Sequence, residues 1–198
     1  MMYLEILIKE GKVMDYKKNK NIIIQECNTA LEKVNIDDVN TLVQIILEAK
    51  NVFFIGIGRV KLGLEAFAKR LNHLGIRAYM VGDINEPAMR RDDVLIVGSG
   101  SGESLIPIAI AKKAKQLGGK IIHLGSNQHS SISKFTDLMI RIPVQTKLYL
   151  PDEINSRQPM SSLFEQCILL FADIIAMMII EKQNIDLKNL WSFHANLE

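Results

Sequence analysis

The sequence predicts a three-layer α/β/α sandwich built on a five-stranded parallel sheet, with helices added at both ends of the chain. Three observations carry this. Five short apolar runs of strand length lie between residues 51 and 142, segments of helical periodicity alternate with them, and the first and third runs lead straight into glycine turns at Gly56-Ile57-Gly58 and Gly98-Ser99-Gly100-Ser101-Gly102. Apolar runs without polar alternation suit strands buried on both faces, and strand–helix alternation is the grammar of right-handed parallel crossovers. The 198 residues fit one domain, 1–198, with residues 1–50 as an N-terminal helical arm and 51–198 as the α/β core with its C-terminal helix and tail.

Taken in order, residues 1–14 show no clear place in this scheme. Residues 16–50 read as two helices. The first carries Ile23, Ile24, Cys27, Ala30 and Leu31, and the second opens at Asp37-Asp38, whose carboxylates suit a helix N-terminus, and continues through Leu42, Ile45, Ile46 and Ala49. The first strand is 51–56, followed by a helix over 62–74 that Gly75 closes. Strands follow at 78–82 and 93–98, then a helix over 104–117, a strand at 120–125, a shorter helix over 130–135 and a last strand at 138–142. Residues 143–160 form a polar connection bounded by Pro143 and Pro159, long enough to be a functional loop. The final helix, 163–180, is apolar enough to resemble a membrane span, yet Glu165, Gln166 and Asp173 are costly at bilayer depth, so a buried or subunit-interface helix is expected.

Composition narrows the function. A formal net charge of +2 from 24 basic and 22 acidic residues argues against a nucleic-acid surface. Cys27 and Cys167 lie far apart without CxxC or CxxH context, so neither a disulfide framework nor a zinc site is expected, and a cytoplasmic setting follows. The N-terminus carries Glu5 and no uninterrupted apolar core, so no secretory leader is expected.

The strongest local signal is Gly98-Ser99-Gly100-Ser101-Gly102-Glu103-Ser104, three hydroxyls and three glycines between a buried strand and a helix. Glycines let backbone N–H groups approach an anion, the helix N-terminus adds a favourable dipole, and hydroxyls donate without adding charge. The plainer reading is a turn in which Ser101 or Ser104 merely caps the helix. Gly56-Ile57-Gly58-Arg59 is weaker: a dinucleotide fingerprint needs a further glycine where Lys61 stands, while Asp83 sits roughly where a ribose-binding acid belongs. Arg59 is either a phosphate contact or a surface or interface arginine. Glu165 also has two readings: the end of a capping box Ser162-Leu163-Phe164-Glu165, or a general base at the mouth of an apolar helix. His194 follows Trp191 and Phe193 in a short tail, where exposure or catalysis are the alternatives. His73, His123 and His129 lack metal-site spacing and read as structural.

Gly56-Ile57-Gly58-Arg59, residues 66–75, Val81-Gly82-Asp83 and the 99–104 turn together resemble the SIS (sugar isomerase) domain, whose sheet is flavodoxin-like. Residues 158–166 (QPMSSLFEQ) and 194–198 (HANLE) resemble, more narrowly, the 6-phospho-3-hexuloisomerase family, over about residue 17 to the end. That resemblance implies interconversion of D-arabino-hex-3-ulose 6-phosphate and fructose 6-phosphate through a cis-enediol(ate), the second step of ribulose monophosphate formaldehyde fixation, without metal or organic cofactor. It implies phosphate binding by Ser99, Gly100, Ser101 and Ser104 with Gly58 and Arg59, proton transfer by Glu165, and assistance from His194. It also implies a homotetramer or dimer of dimers in which His194 serves a neighbouring subunit's site, with a phosphosugar and no nucleic acid or membrane as partner. The family pattern GxGRS has a serine where this chain has Val60, so one phosphate hydroxyl is missing and Lys61 is a candidate replacement. The alternatives are a non-catalytic SIS module that binds a phosphosugar and regulates, or another SIS isomerase such as an arabinose 5-phosphate isomerase.

Overall fold

A computed structural model describes residues 15–194 and 196–197; the reading of residues 1–14 lies outside the described residues. The chain forms α1 (Tyr16–Leu31), α2 (Ile36–Glu48), β1 (Val52–Ile55), α3 (Gly58–His73), β2 (Ala78–Met80), β3 (Val94–Gly98), α4 (Leu105–Gln116), β4 (Lys120–Gly125), a 3₁₀ turn (Ile132–Lys134), β5 (Leu138–Arg141), α5 (Ser162–Gln183) and a second 3₁₀ segment (Leu187–Phe193). All four strand pairings are parallel, in the order β2-β1-β3-β4-β5. This is the predicted five-stranded parallel α/β architecture.

The strands alternate their apolar side chains between two cores. Val52, Phe54, Val94, Ile96, Ile122, Leu124 and Ile140 face α3 and α5, and they share that core with Cys27 and Ala30 of α1 and Leu42, Val43 and Ile46 of α2. The N-terminal helices are therefore part of the main core. Phe53, Ile55, Leu95, Val97 and Ile121 face the thinner opposite layer, where Ala111 and Ala114 of α4 and Ile132 cover them. At roughly 1.5–3 kcal/mol for burying each large aliphatic or aromatic side chain, both cores are needed to offset chain entropy.

Three elements differ from the sequence reading. α3 begins at Gly58, four residues before the predicted start, because Ile57 is extended in the cap position and the chain turns from β1 directly into the helix. The predicted 130–135 helix is only a 3₁₀ turn. α5 starts at Ser162, with Ser161 in the cap position, and ends at Asn184 in the left-handed conformation that stops helices. α5 is long and apolar enough to cross a bilayer by length and composition, but half of it is buried inside this chain. Its outer stripe leaves Leu169, Leu170, Ile174 and Met177 exposed.

Sheet order places the functional end. β1 is followed by β2 on one side, while β3, β4 and β5 extend on the other, so the crossover direction reverses between β1 and β3. In open parallel sheets the crevice at such a switch point, beyond the carboxyl ends of the strands, is where ligands bind.

Candidate functional site

At that crevice lies a cavity of about 520 Å³, walled by Gly58, Arg59 and Val60 after β1, by the 99–104 turn after β3, by Thr146 and Lys147 from the long connection, and by Met160, Ser161 and Glu165 at the start of α5. Every residue assigned to the phosphate site from sequence (Ser99, Gly100, Ser101, Ser104, Gly58 and Arg59) lines it, and so does Glu165.

The turn is held from behind. The Ser99 carbonyl accepts from His123 Nε2 at 2.9 Å, the Gly100 carbonyl from Ser126 N and Asn127 N, the Ser101 carbonyl from Asn127 Nδ2 at 3.2 Å, and the Gly102 carbonyl from Ile132 N. With its carbonyls spent on β4 and the segment after it, the turn offers the cavity its hydroxyls. Two of these already accept backbone bonds, Ser99 Oγ from Gly102 N and Ser101 Oγ from Glu103 N, which leaves their O–H groups as donors. Ser104 occupies the N-cap position of α4 but makes no side-chain cap bond; its hydroxyl lies 3.5 Å from Ser99 Oγ instead. The plain capping reading of Ser104 is therefore replaced by a cluster of donors beside a helix N-terminus, which suits an anion. Close approach requires one glycine, since a Cβ on Gly102 (φ +66) meets Ser130 Oγ at 2.2 Å, and Gly100 is tightly packed, a Cβ there standing 3.2 Å from Thr146 Cγ2.

His123 is fully buried beneath the turn, and its Nδ1 has no hydrogen-bond partner among the described residues. A carbonyl only accepts, so Nε2 carries the proton toward Ser99. Burial holds the ring's pKa below its ordinary value, partly opposed by the bond to Ser99.

Glu165 sits in the first turn of α5. One carboxylate oxygen accepts from Arg59 Nε at 2.5 Å and the other from Ser161 Oγ at 3.1 Å. The capping box anchored on Ser162 is thus corrected: Ser162 is already helical, and the Ser161 hydroxyl is used on Glu165 rather than on the helix backbone. The Glu165 side chain is 12% exposed against 66% for Arg59, so the ion pair presents a mostly enclosed carboxylate and a solvent-facing guanidinium.

Other candidates fall elsewhere. His194 packs with ring centroids 5.2 Å from His73 and 5.4 Å from Trp191, in a separate groove of about 420 Å³ that Arg70 and Asp173 also line. The chain's own His194 and Glu165 are therefore not brought together. Asp83 lies outside the cavity lining, and Lys61 pairs with Glu65 along α3 at 3.5 Å instead of entering the site. Val60 does line the cavity, and its Cγ1 stands 2.8 Å from where a Cβ on Gly98 would be, so it packs over the end of β3. Among the described residues no group of three or more His, Cys, Asp or Glu side chains is placed to hold a metal. Cys27 and Cys167 are free and buried, and they meet across α1 and α5; burial raises both thiols, Cys167 to about 12.

Sequence reasoning missed Thr146, Lys147, Met160 and Ser161. The available signals were the length of the 143–160 connection and the 158–166 segment that contains Met160 and Ser161, neither of which gave these four residues a role.

Residues 45–170 match the SIS domain family. The chain is 39% identical over 176 residues to the 3-hexulose-6-phosphate isomerase of Bacillus subtilis (strain 168), covering 89% of this chain and 95% of that protein. It is 33% identical over 184 residues to the protein of the same name from Methanocaldococcus jannaschii, covering 93% and 96%. A crystal structure of a Methanococcus jannaschii protein, for which a 3-hexulose-6-phosphate isomerase function was inferred, matches with a TM-score of 0.79 and 30% identity, covering 91% of this chain and 99% of that one.

Proposed function

We propose, from the premise that this chain belongs to the SIS-domain family, that it interconverts D-arabino-hex-3-ulose 6-phosphate and fructose 6-phosphate. The chain is a sugar-phosphate isomerase, and one observation carries the finer reading: an enclosed carboxylate, Glu165, shares a single cavity with the hydroxyl-rich turn at the sheet's switch point. An anion-binding turn alone makes a binding protein. A carboxylate facing the same space adds a group able to move a proton.

In this mechanism the 99–104 turn anchors the phosphate and fixes the sugar chain relative to α5, so that proton transfer is intramolecular. Glu165 removes the proton from C2 of the hex-3-ulose while the C3 carbonyl becomes an enediolate oxygen. Return of the proton to C3, with the hydroxyl proton passing from O2 to O3, gives the 2-ketose. No atom is gained or lost. Arg59, bonded to Glu165, holds the carboxylate in place and supplies positive charge near the developing enediolate. His194 enters as a residue of a neighbouring copy, since its own chain keeps it in another groove; the exposed Leu169, Leu170, Ile174 and Met177 on α5 supply an apolar face for that assembly.

Fructose 6-phosphate incubated with the protein in deuterium oxide is expected to gain deuterium at C3. The Glu165→Gln variant is expected to lose that exchange by about 10²–10⁴-fold. Exchange that persists in the variant, or is absent from the native protein, overturns the reading.

A further inference from the structure

We infer that Lys147, and not Arg59, is the cation that receives the substrate's phosphate. This rests on the phosphosugar reading of the cavity. The Ser99, Ser101 and Ser104 hydroxyls donate to an anion but neutralise none of its charge, and Val60 stands where a further donor is expected. Among the cavity-lining residues only Arg59 and Lys147 carry positive charge. Arg59 already gives its Nε to Glu165. Lys61, the other nearby cation in sequence, points along α3 to Glu65.

Lys147 belongs to a turn built to display it. Glu153 is 8% exposed and spends both carboxylate oxygens on that turn: Oε1 accepts from Thr146 Oγ1 at 2.9 Å, and Oε2 from Thr146 N and Leu150 N, each at 3.0 Å. The Thr146 hydroxyl in turn accepts from Leu148 N. Tyr149 is held at φ +50 within the same turn, a left-handed conformation that a tyrosine adopts only when its surroundings impose it. Thr146 Cγ2 packs against Gly100, so the backbone of Lys147 starts beside the phosphate turn while its side chain stays exposed. Its charge reaches that turn: after the hydrogen bonds from Ser131 and the charge of Lys134, Lys147 is among the causes that hold the Glu103 carboxyl below its ordinary value. Glu103 itself takes the Ser131 N–H at 2.8 Å.

The arrangement divides the two charges of the site. A flexible ammonium on a fixed turn neutralises the phosphate, as a point charge suits, and the guanidinium fork stays with the carboxylate. The test is titration of the full-length protein with inorganic phosphate, followed by calorimetry, alongside fructose 6-phosphate kinetics. Lys147→Met is expected to weaken phosphate binding by at least about tenfold and to raise KM with kcat little changed, while Lys147→Arg retains most of the affinity. Arg59→Met is expected to lower kcat and leave phosphate affinity within about threefold. Phosphate binding unchanged in Lys147→Met, binding lost in Arg59→Met instead, or native protein that binds no phosphate would each overturn the assignment. Native protein that binds phosphate through Lys147 but does not isomerise sinks the isomerase reading and leaves this one standing.

Discussion

His123 shows how a residue with no access to the substrate is bound to the site's chemistry. Its ring fills the space beneath the turn and its Nε2–H holds the Ser99 carbonyl, so the turn's geometry depends on this imidazole, which burial keeps neutral. The pKa, lowered by burial, makes this a stability statement. The unfolded ring takes up its proton near 6.5 while the folded ring resists, so the contribution is complete above that pH and is lost as pH falls toward the folded value. The thermal midpoint of the native protein is expected to drop from about pH 6.5 downward, and His123→Gln, which still donates to Ser99, is expected to show a flatter profile. Equal slopes in both proteins would remove His123 as the cause. Nothing local in the run Lys120-Ile121-Ile122-His123-Leu124-Gly125 announces this role, because the partner carbonyl lies 24 positions away. Arg59 makes the same point: the sequence shows an arginine beside a glycine turn, and only the fold reveals that a carboxylate from position 165 claims it.

Among elements, the connection between β5 and α5 is the one whose length predicted function and whose shape could not be read. It is tied at two carboxylates, one buried (Glu153) and one half-buried (Glu26). Glu153 organises its first half, and Glu26 of α1 holds its second, accepting from Ser156 Oγ at 2.7 Å, Arg157 N at 2.9 Å and Gln158 Nε2 at 3.1 Å. Desolvation pushes the Glu26 carboxyl up, but those three hydrogen bonds and the charge of Arg157 together outweigh it and bring it below its ordinary 4.5. The clamp is therefore complete above about pH 4.5 and weakens as pH falls through the lowered folded value. Glu26→Ala is expected to cost about 1–3 kcal/mol of stability at neutral pH by freeing three donors. Because residues 159–161 follow directly and line the cavity, KM is expected to rise as well. A thermal melt and a KM both equal to the native values would show that the clamp does nothing. α1, which reads in sequence as a helical arm, thus holds the segment that leads into the site wall.

For the whole molecule, the two candidate catalytic residues define the assembly question. Glu165 lies at the switch-point cavity and His194 in a groove with His73 and Trp191, so a single copy does not combine them. If a neighbour supplies the histidine, mixing unfolded Glu165→Gln and His194→Ala chains and refolding them together is expected to restore a measurable part of the activity that each lacks alone. Activity that stays at the level of the two separate variants would retire His194 from the mechanism. The sequence by itself determined the strand count, the parallel α/β class and the position of the glycine- and hydroxyl-rich turn, because apolar run length, helical periodicity and the spacing of glycines and hydroxyls are local properties of the chain. It also placed Glu165 among the candidates without deciding between cap and base. Tertiary structure alone decided that Glu165 shares a cavity with the 99–104 turn, that Arg59 pairs with Glu165, that Lys147 lines the same cavity and that His194 lies in another groove. Those facts depend on which distant segments the strand order β2-β1-β3-β4-β5 and the packing of α5 on α3 bring together, and no local pattern encodes that juxtaposition.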